Sequence, residues 1–167
     1  MNKFLRQVLL VCVCLFAFTG QAMADSQKDA ALADLAYTAG NYGEAVKLYS
    51  HLAEQGNADA QYHLGTLYAE GKGVSPDYKE AMKWFRKAAE QGNSLAQWKI
   101  SLNYIEGRGI AQNHVLAHMW LNISAAKGNS LARESRDSLA TIMTSTQISE
   151  AQKLARECEK RNYKKCG

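Results

Sequence analysis

Residues Gly56 to Asn93 read GNADAQYHLGTLYAEGKGVSPDYKEAMKWFRKAAEQGN, and the residues that follow repeat the same pattern at an interval of 36. Gly56-Asn57 returns as Gly92-Asn93 and again as Gly128-Asn129. Between these marks Ala60, Gln61, Tyr68, Glu70, Gly71, Gly73, Ala81, Trp84 and Ala89 recur as Ala96, Gln97, Tyr104, Glu106, Gly107, Gly109, Ala117, Trp120 and Ala125, so 11 of 36 positions are identical. A fixed period of this length marks a stacked array, in which each unit has an apolar face that only its neighbours bury. The chain is expected to offer a binding surface, and its sequence does not name the ligand.

Boundary chemistry repeats along with the apolar residues. Asn57 is placed to cap a helix from Ala58 to Glu70, and Gly71-Lys72-Gly73-Val74-Ser75-Pro76 breaks it. Asp77 starts the next helix, with Glu80 three residues on as in a capping box and an i, i+3, i+4, i+7 stripe from Tyr78 to Ala89. The caps Asn41, Asp77 and Asn113 are 36 apart, and Gly56, Gly92 and Gly128 sit where a helix end needs a left-handed residue. Upstream, a helix over Ser26 to Ala39 stops at Gly40, and Asn41 with Glu44 opens a second capping box. Gly65, Ala81 and Ala89 are small enough for close helix approach, while Trp84 and Trp120 are expected to fill the gap to the following repeat. Past Gly128, Ala132, Leu139, Ile142 and Met143 suggest one more first helix. Thr144 with Gln147 opens a charged last helix ending near Lys160, as suits a terminal cap.

The Gly56 to Asn93 string closely resembles the Sel-1-like repeat, a relative of the tetratricopeptide repeat with a longer glycine-rich loop. The resemblance runs from Gly40 to about Ala132, and Gly128 to Gly167 is similar to the terminal segment of bacterial exported members. It implies an all-α right-handed superhelical solenoid of about four antiparallel hairpins, near 27–55, 56–91, 92–127 and 128–163. Their first helices would line a concave groove that serves as an adaptor for envelope or signalling proteins. The second repeat departs from the pattern at Ser101 in place of Gly65 and Asn103 in place of Leu67, so its first helix is expected either to pack abnormally or to be altered for a ligand.

At the start of the chain, Lys3 and Arg6 precede an apolar run from Val8 to Phe18, and Ala22-Met23-Ala24 has the small-x-small form of a signal peptidase site. Residues 1–24 read as a cleaved signal peptide and 25–167 as the repeat domain, placed in the periplasm or secreted, with no integral membrane segment left. Cleavage lowers the net charge from +4 to +2 by removing Lys3 and Arg6 and no acid. So small a charge gives no case for nucleic acid. It also removes Cys12 and Cys14, leaving Cys158 and Cys166, which an oxidising compartment favours joining. The bridge is geometrically open only if the helix ends near Lys160 to Arg161 and Asn162-Tyr163 turns the tail back; eight residues of helix would hold the two about 12 Å apart. A monomer is expected.

Catalytic constellations are missing. Gly71-x-Gly73 and Gly107-x-Gly109 lack a third glycine and follow a helix, not a strand; no phosphate cofactor is expected. His114 and His118 are spaced i, i+4, but Val115 stands where a zincin has its glutamate, so ordinary helix-surface histidines are expected and no metal. Glu70 and Glu106 occupy the same place in successive repeats and read as helix-end residues. The alternative function, a cell-wall-ligand binder or β-lactamase-like hydrolase, comes from the resemblance: some secreted cysteine-rich relatives are associated with β-lactams, but they staple each repeat with its own cysteine pair. The basic end Lys160, Arg161, Lys164 and Lys165 reads as a solvated tail. What remains is the groove, where Tyr62, His63 and Thr66 correspond to Trp98, Lys99 and Leu102, aromatics beside polar groups that suit peptide recognition.

Overall fold

Polar caps and left-handed glycines divide the chain into helices at the repeat interval. The computed structural model describes residues 26–167; the expected signal peptide, with Cys12 and Cys14, lies outside the described residues. The helices are α1 (26–38), α2 (Tyr42–Glu54), α3 (Ala58–Glu70), α4 (Tyr78–Glu90), α5 (Ser94–Glu106), α6 (His114–Ala126), α7 (Ser130–Ala140) and α8 (Ser145–Lys160). Among the described residues there is no strand, and no helix is long and apolar enough to cross a membrane. Successive helices pack from α2 to α6, and α7 and α8 both rest on α6, making an all-helical solenoid in which α1, α3, α5 and α7 are the first helices of successive units.

The caps follow the repeat. Asn57, Asn93 and Asn129 accept from the backbone N–H of Ala60, Ala96 and Ala132, Asp77 accepts from Lys79 and Glu80, and Asn113 from Leu116. Gly56, Gly92 and Gly128 have φ of 94°, 87° and 89°, and the next N–H reaches back five residues, to Leu52, Ala88 and Ser124. Thr144 and Gln147 form the expected reciprocal capping box. The two other expected boxes are not formed. Asn41 makes no side-chain cap bond because its ψ of 58° leaves the extended region from which the side chain reaches the first turn. Glu44 and Glu80 turn outward to Lys47 and Lys83, at 3.3 and 2.9 Å.

Repeated glutamines fasten one hairpin to the next. Gln61 and Gln97 donate to Ala53 O and Ala89 O at 3.0 and 3.2 Å, and Gln91 donates to Gln61 Oε1 at 2.9 Å. One repeat later the residue matching Gln91 is Lys127, whose ammonium lies 4.5 Å from the Tyr163 ring centre, and the buried Gln97 Oε1 has no protein partner. Glycine does the tightest work in the interhelix loops. A Cβ on Gly109 (φ 69°) would lie 2.5 Å from Tyr78 O, and one on Gly73 (φ 71°) would overlap the Tyr42 carbonyl, so each loop rests directly on the backbone of the preceding hairpin.

The core corrects three further expectations. Trp84 is 7% exposed, but it packs with Tyr49, Leu52, Leu64 and Leu67, so it fills the gap to the preceding hairpin, not the following one. Ile142 lies beyond the end of α7 and is 70% exposed, because the chain turns out at Thr141 to reach the Thr144 cap. Finally, α5 packs as a regular buried helix despite its departures. A Cβ on Gly65 would lie 2.7 Å from the Phe85 ring; one repeat on, Ser101 stands there and the position of Phe85 is taken by the smaller Leu121, both fully buried. Ser101 Oγ donates to Trp98 O at 2.6 Å, and Asn103 Nδ2 to Lys99 O at 2.9 Å, so both polar substitutions are satisfied within the helix.

Cys158 and Cys166 are joined, with α-carbons 5.5 Å apart. The turn that allows it puts Asn162 and Tyr163 at φ of 50° and 64° directly after α8. The tail then lies along the second-helix layer: Arg86 Nη1 donates to Gly167 O at 2.6 Å, and its Nη2 to the Tyr104 hydroxyl at 2.9 Å. Cys166→Ser should lower stability by about 2–3 kcal/mol, the chain-entropy value for so small a loop. Guanidinium denaturation of the oxidised parent and the variant measures it, and an unchanged midpoint would mean that the tail is held by its other contacts.

Candidate partner-binding site

The residues singled out on the first helices form two groups one repeat apart. On α3, His63 stacks on Tyr49 of α2 (ring centres 4.9 Å apart, planes at 13°), meets Tyr62 edge-on at 5.1 Å and lies 6.0 Å from Tyr37 of α1. The Tyr49 hydroxyl donates to Asp34 Oδ1 at 2.6 Å; burial first, and then this bond to a carboxylate, push the phenol far above its ordinary range. Tyr62 is half-buried, its ring 6.2 Å from Phe85, and burial raises its phenol too. Thr66 is buried and spends its hydroxyl on Tyr62 O at 3.0 Å. On α5, Trp98 is half-buried and donates from Nε1 to Ser135 Oγ of α7 at 3.1 Å, with the Lys99 ammonium 5.2 Å from its ring centre. Leu102 is half-buried on the same helix.

Charge is unevenly placed across these groups. Asp34 and Asp59 are exposed and lie near enough to His63 to act on its charge, but neither has a salt-bridge partner among the described residues; Asp59 takes a neutral hydrogen bond from Asn93 Nδ2 at 2.8 Å. Lys99 has no carboxylate partner there either. Glu70 and Glu106 serve the loops, pairing with Lys72 and Arg108 at 2.8 and 2.7 Å. Lys72 in turn sits 5.8 and 5.2 Å from the Tyr37 and Tyr42 ring centres, so these rings, one on α1 and one on α2, already hold one cation of this chain. Tyr37 and Asp34 carried no mark in the repeat pattern, because three residues join α1 to α2 where seven join α3 to α4.

His118 is not on the helix surface as expected. It is 2% exposed and its Nδ1 accepts from Asn122 Nδ2 at 2.9 Å; no cluster of three metal-ligating side chains exists among the described residues. Burial is the main cause that lowers the imidazole pKa of both His63 and His118; Asp34 and Asp59 oppose it at His63, while Arg136 adds to it at His118. A base that is harder to protonate when folded lets the unfolded chain take up protons first, so stability should fall as pH drops below about 6.5 and level off below the folded values. Melting at pH 7.5 and 5.5 tests this, and a double His63→Gln, His118→Gln variant should show a flatter slope.

The comparisons now bear on this geometry. A family model described as Sel1 repeat matches residues 30–57, 58–93 and 94–129, which is more than half of the chain. The chain belongs to the Sel1 repeat family. Among solved structures, this Sel1 repeat protein is similar to c5321, described as a protective antigen present in uropathogenic Escherichia coli strains and displaying an SLR fold. The TM-score is 0.78 and the identity 28%, over 86% of this chain and 32% of that one. A Sel1 repeat protein from Oxalobacter formigenes aligns with a TM-score of 0.63 and 29% identity over 74% of this chain and 97% of that one. The chain thus spans about a third of the length of the antigen. No curated protein matches it in sequence.

Proposed function

We propose that this Sel1 repeat protein is a non-enzymatic adaptor, exported to an oxidising compartment, that holds an envelope or signalling protein in the groove lined by α1, α3, α5 and α7. The observation that carries the reading is the recurrence of an aromatic beside a polar side chain, Tyr62-His63 and Trp98-Lys99, at equivalent positions of two first helices. Half-buried aromatics anchored by the core give contact area at small entropic cost. The joined Cys158 and Cys166 support the compartment. Crosslinking in the periplasm followed by mass spectrometry of the linked peptides is the test, and links concentrated on α3 and α5 are expected. Links confined to α4, α6 and α8, or turnover of a β-lactam or peptidoglycan fragment by residues 25–167, would replace this reading.

A further inference from the structure

We infer that the groove reads an extended peptide in a single orientation, taking a basic side chain at the α1–α3 end and an acidic one at the α5 end, about three residues apart. This rests on the groove reading above and adds the chemistry of the occupant. At the first end, Tyr37, Tyr62 and His63 present rings next to Asp34 and Asp59, two exposed carboxylates without a salt-bridge partner among the described residues. Their surroundings suit a guanidinium or ammonium, which gains from the ring faces and from the carboxylates together. Lys72, itself paired with Glu70, rests on Tyr37 and Tyr42, so one ring of this group already faces a cation.

At the second end, Lys99 stands over Trp98 without a carboxylate partner among the described residues, so a peptide carboxylate placed there completes an ion pair. The hydrogen bond from Trp98 Nε1 to Ser135 keeps the indole, and with it the platform under Lys99, in place. The spacing follows from the repeat. His63 and Lys99 hold equivalent positions on adjacent first helices. The Asn93 to Asp59 hydrogen bond holds the starts of α5 and α3 side by side; at a helix spacing of roughly 8–10 Å, and with an extended chain advancing roughly 3.3–3.6 Å per residue, about three residues separate the two charges. Reversing the peptide would set like charges together at both ends, and that is what selects one orientation.

A displayed library of random twelve-residue peptides, panned against the oxidised chain, tests the inference. Enriched peptides are expected to carry one basic and one acidic residue about three apart, in one order only, and a synthetic peptide of that order should bind at least ten-fold more tightly than its reversed copy. With Lys99→Glu as bait, the acidic position should turn basic while the other stays basic; Asp59→Asn should weaken selection at the basic position alone. A photo-crosslinker beside the basic residue should label α1 or α3. No enrichment, enrichment without charge order, or selections unchanged by Lys99→Glu would overturn the orientation. If such peptides still crosslink to α3 and α5, the groove reading survives that failure; if they crosslink only to α4, α6 or α8, both fall.

Discussion

Trp120→Ala should cost about 3–5 kcal/mol, the range for truncating a large buried aromatic. The indole is 2% exposed and belongs to a core that runs from Ala81 and Phe85 of α4 to Cys158 of α8, so the cavity would open inside the core shared by the last three units. A domain of this size is stable by roughly 5–15 kcal/mol, which makes the loss a large share of the total. Because each hairpin contacts only its neighbours, the terminal hairpin should melt first, giving a broadened or two-step transition. Urea denaturation followed by circular dichroism measures both effects. A loss under about 1 kcal/mol would mean that the indole is free to serve a ligand.

Gly109→Ala should be nearly as damaging although it adds one methyl group. The residue has φ of 69°, where an alanine costs roughly 1–2 kcal/mol, and the new Cβ would lie 2.5 Å from Tyr78 O and 3.0 Å from Lys79 N. Those atoms are backbone at the start of α4 and cannot swing aside. A total above about 2 kcal/mol is expected, whereas Gly128→Ala, where a Cβ meets nothing within 4 Å, should show the conformational cost alone. Equal losses at the two sites would show that the close approach of loop and helix carries no weight.

Much of the architecture was legible because the repeat marks its own joints: asparagine or aspartate before each helix from α2 to α7, and glycine after each from α1 to α6. Distance in sequence hid the rest. That Ser101 could stand for Gly65 depended on Leu121 standing for Phe85, and nothing in a linear reading says that these two positions face each other. The direction in which Trp84 packs was hidden for the same reason, since the 36-residue period fixes where an indole recurs but not which neighbour it leans on. At the candidate site, Tyr62, His63, Trp98 and Lys99 were visible as equivalent positions. Asp34 and Tyr37 were not, because the short connection after α1 takes that helix out of the period.

The loop glycines also bear on how such a surface can change. At Gly73 and Gly109 the hairpins meet main chain to main chain, so the step from one unit to the next does not depend on which side chains line the groove. Substitutions at Tyr62, His63, Trp98 or Lys99 can therefore alter what is recognised while the pitch of the superhelix, and the distance between successive recognition positions, stays fixed.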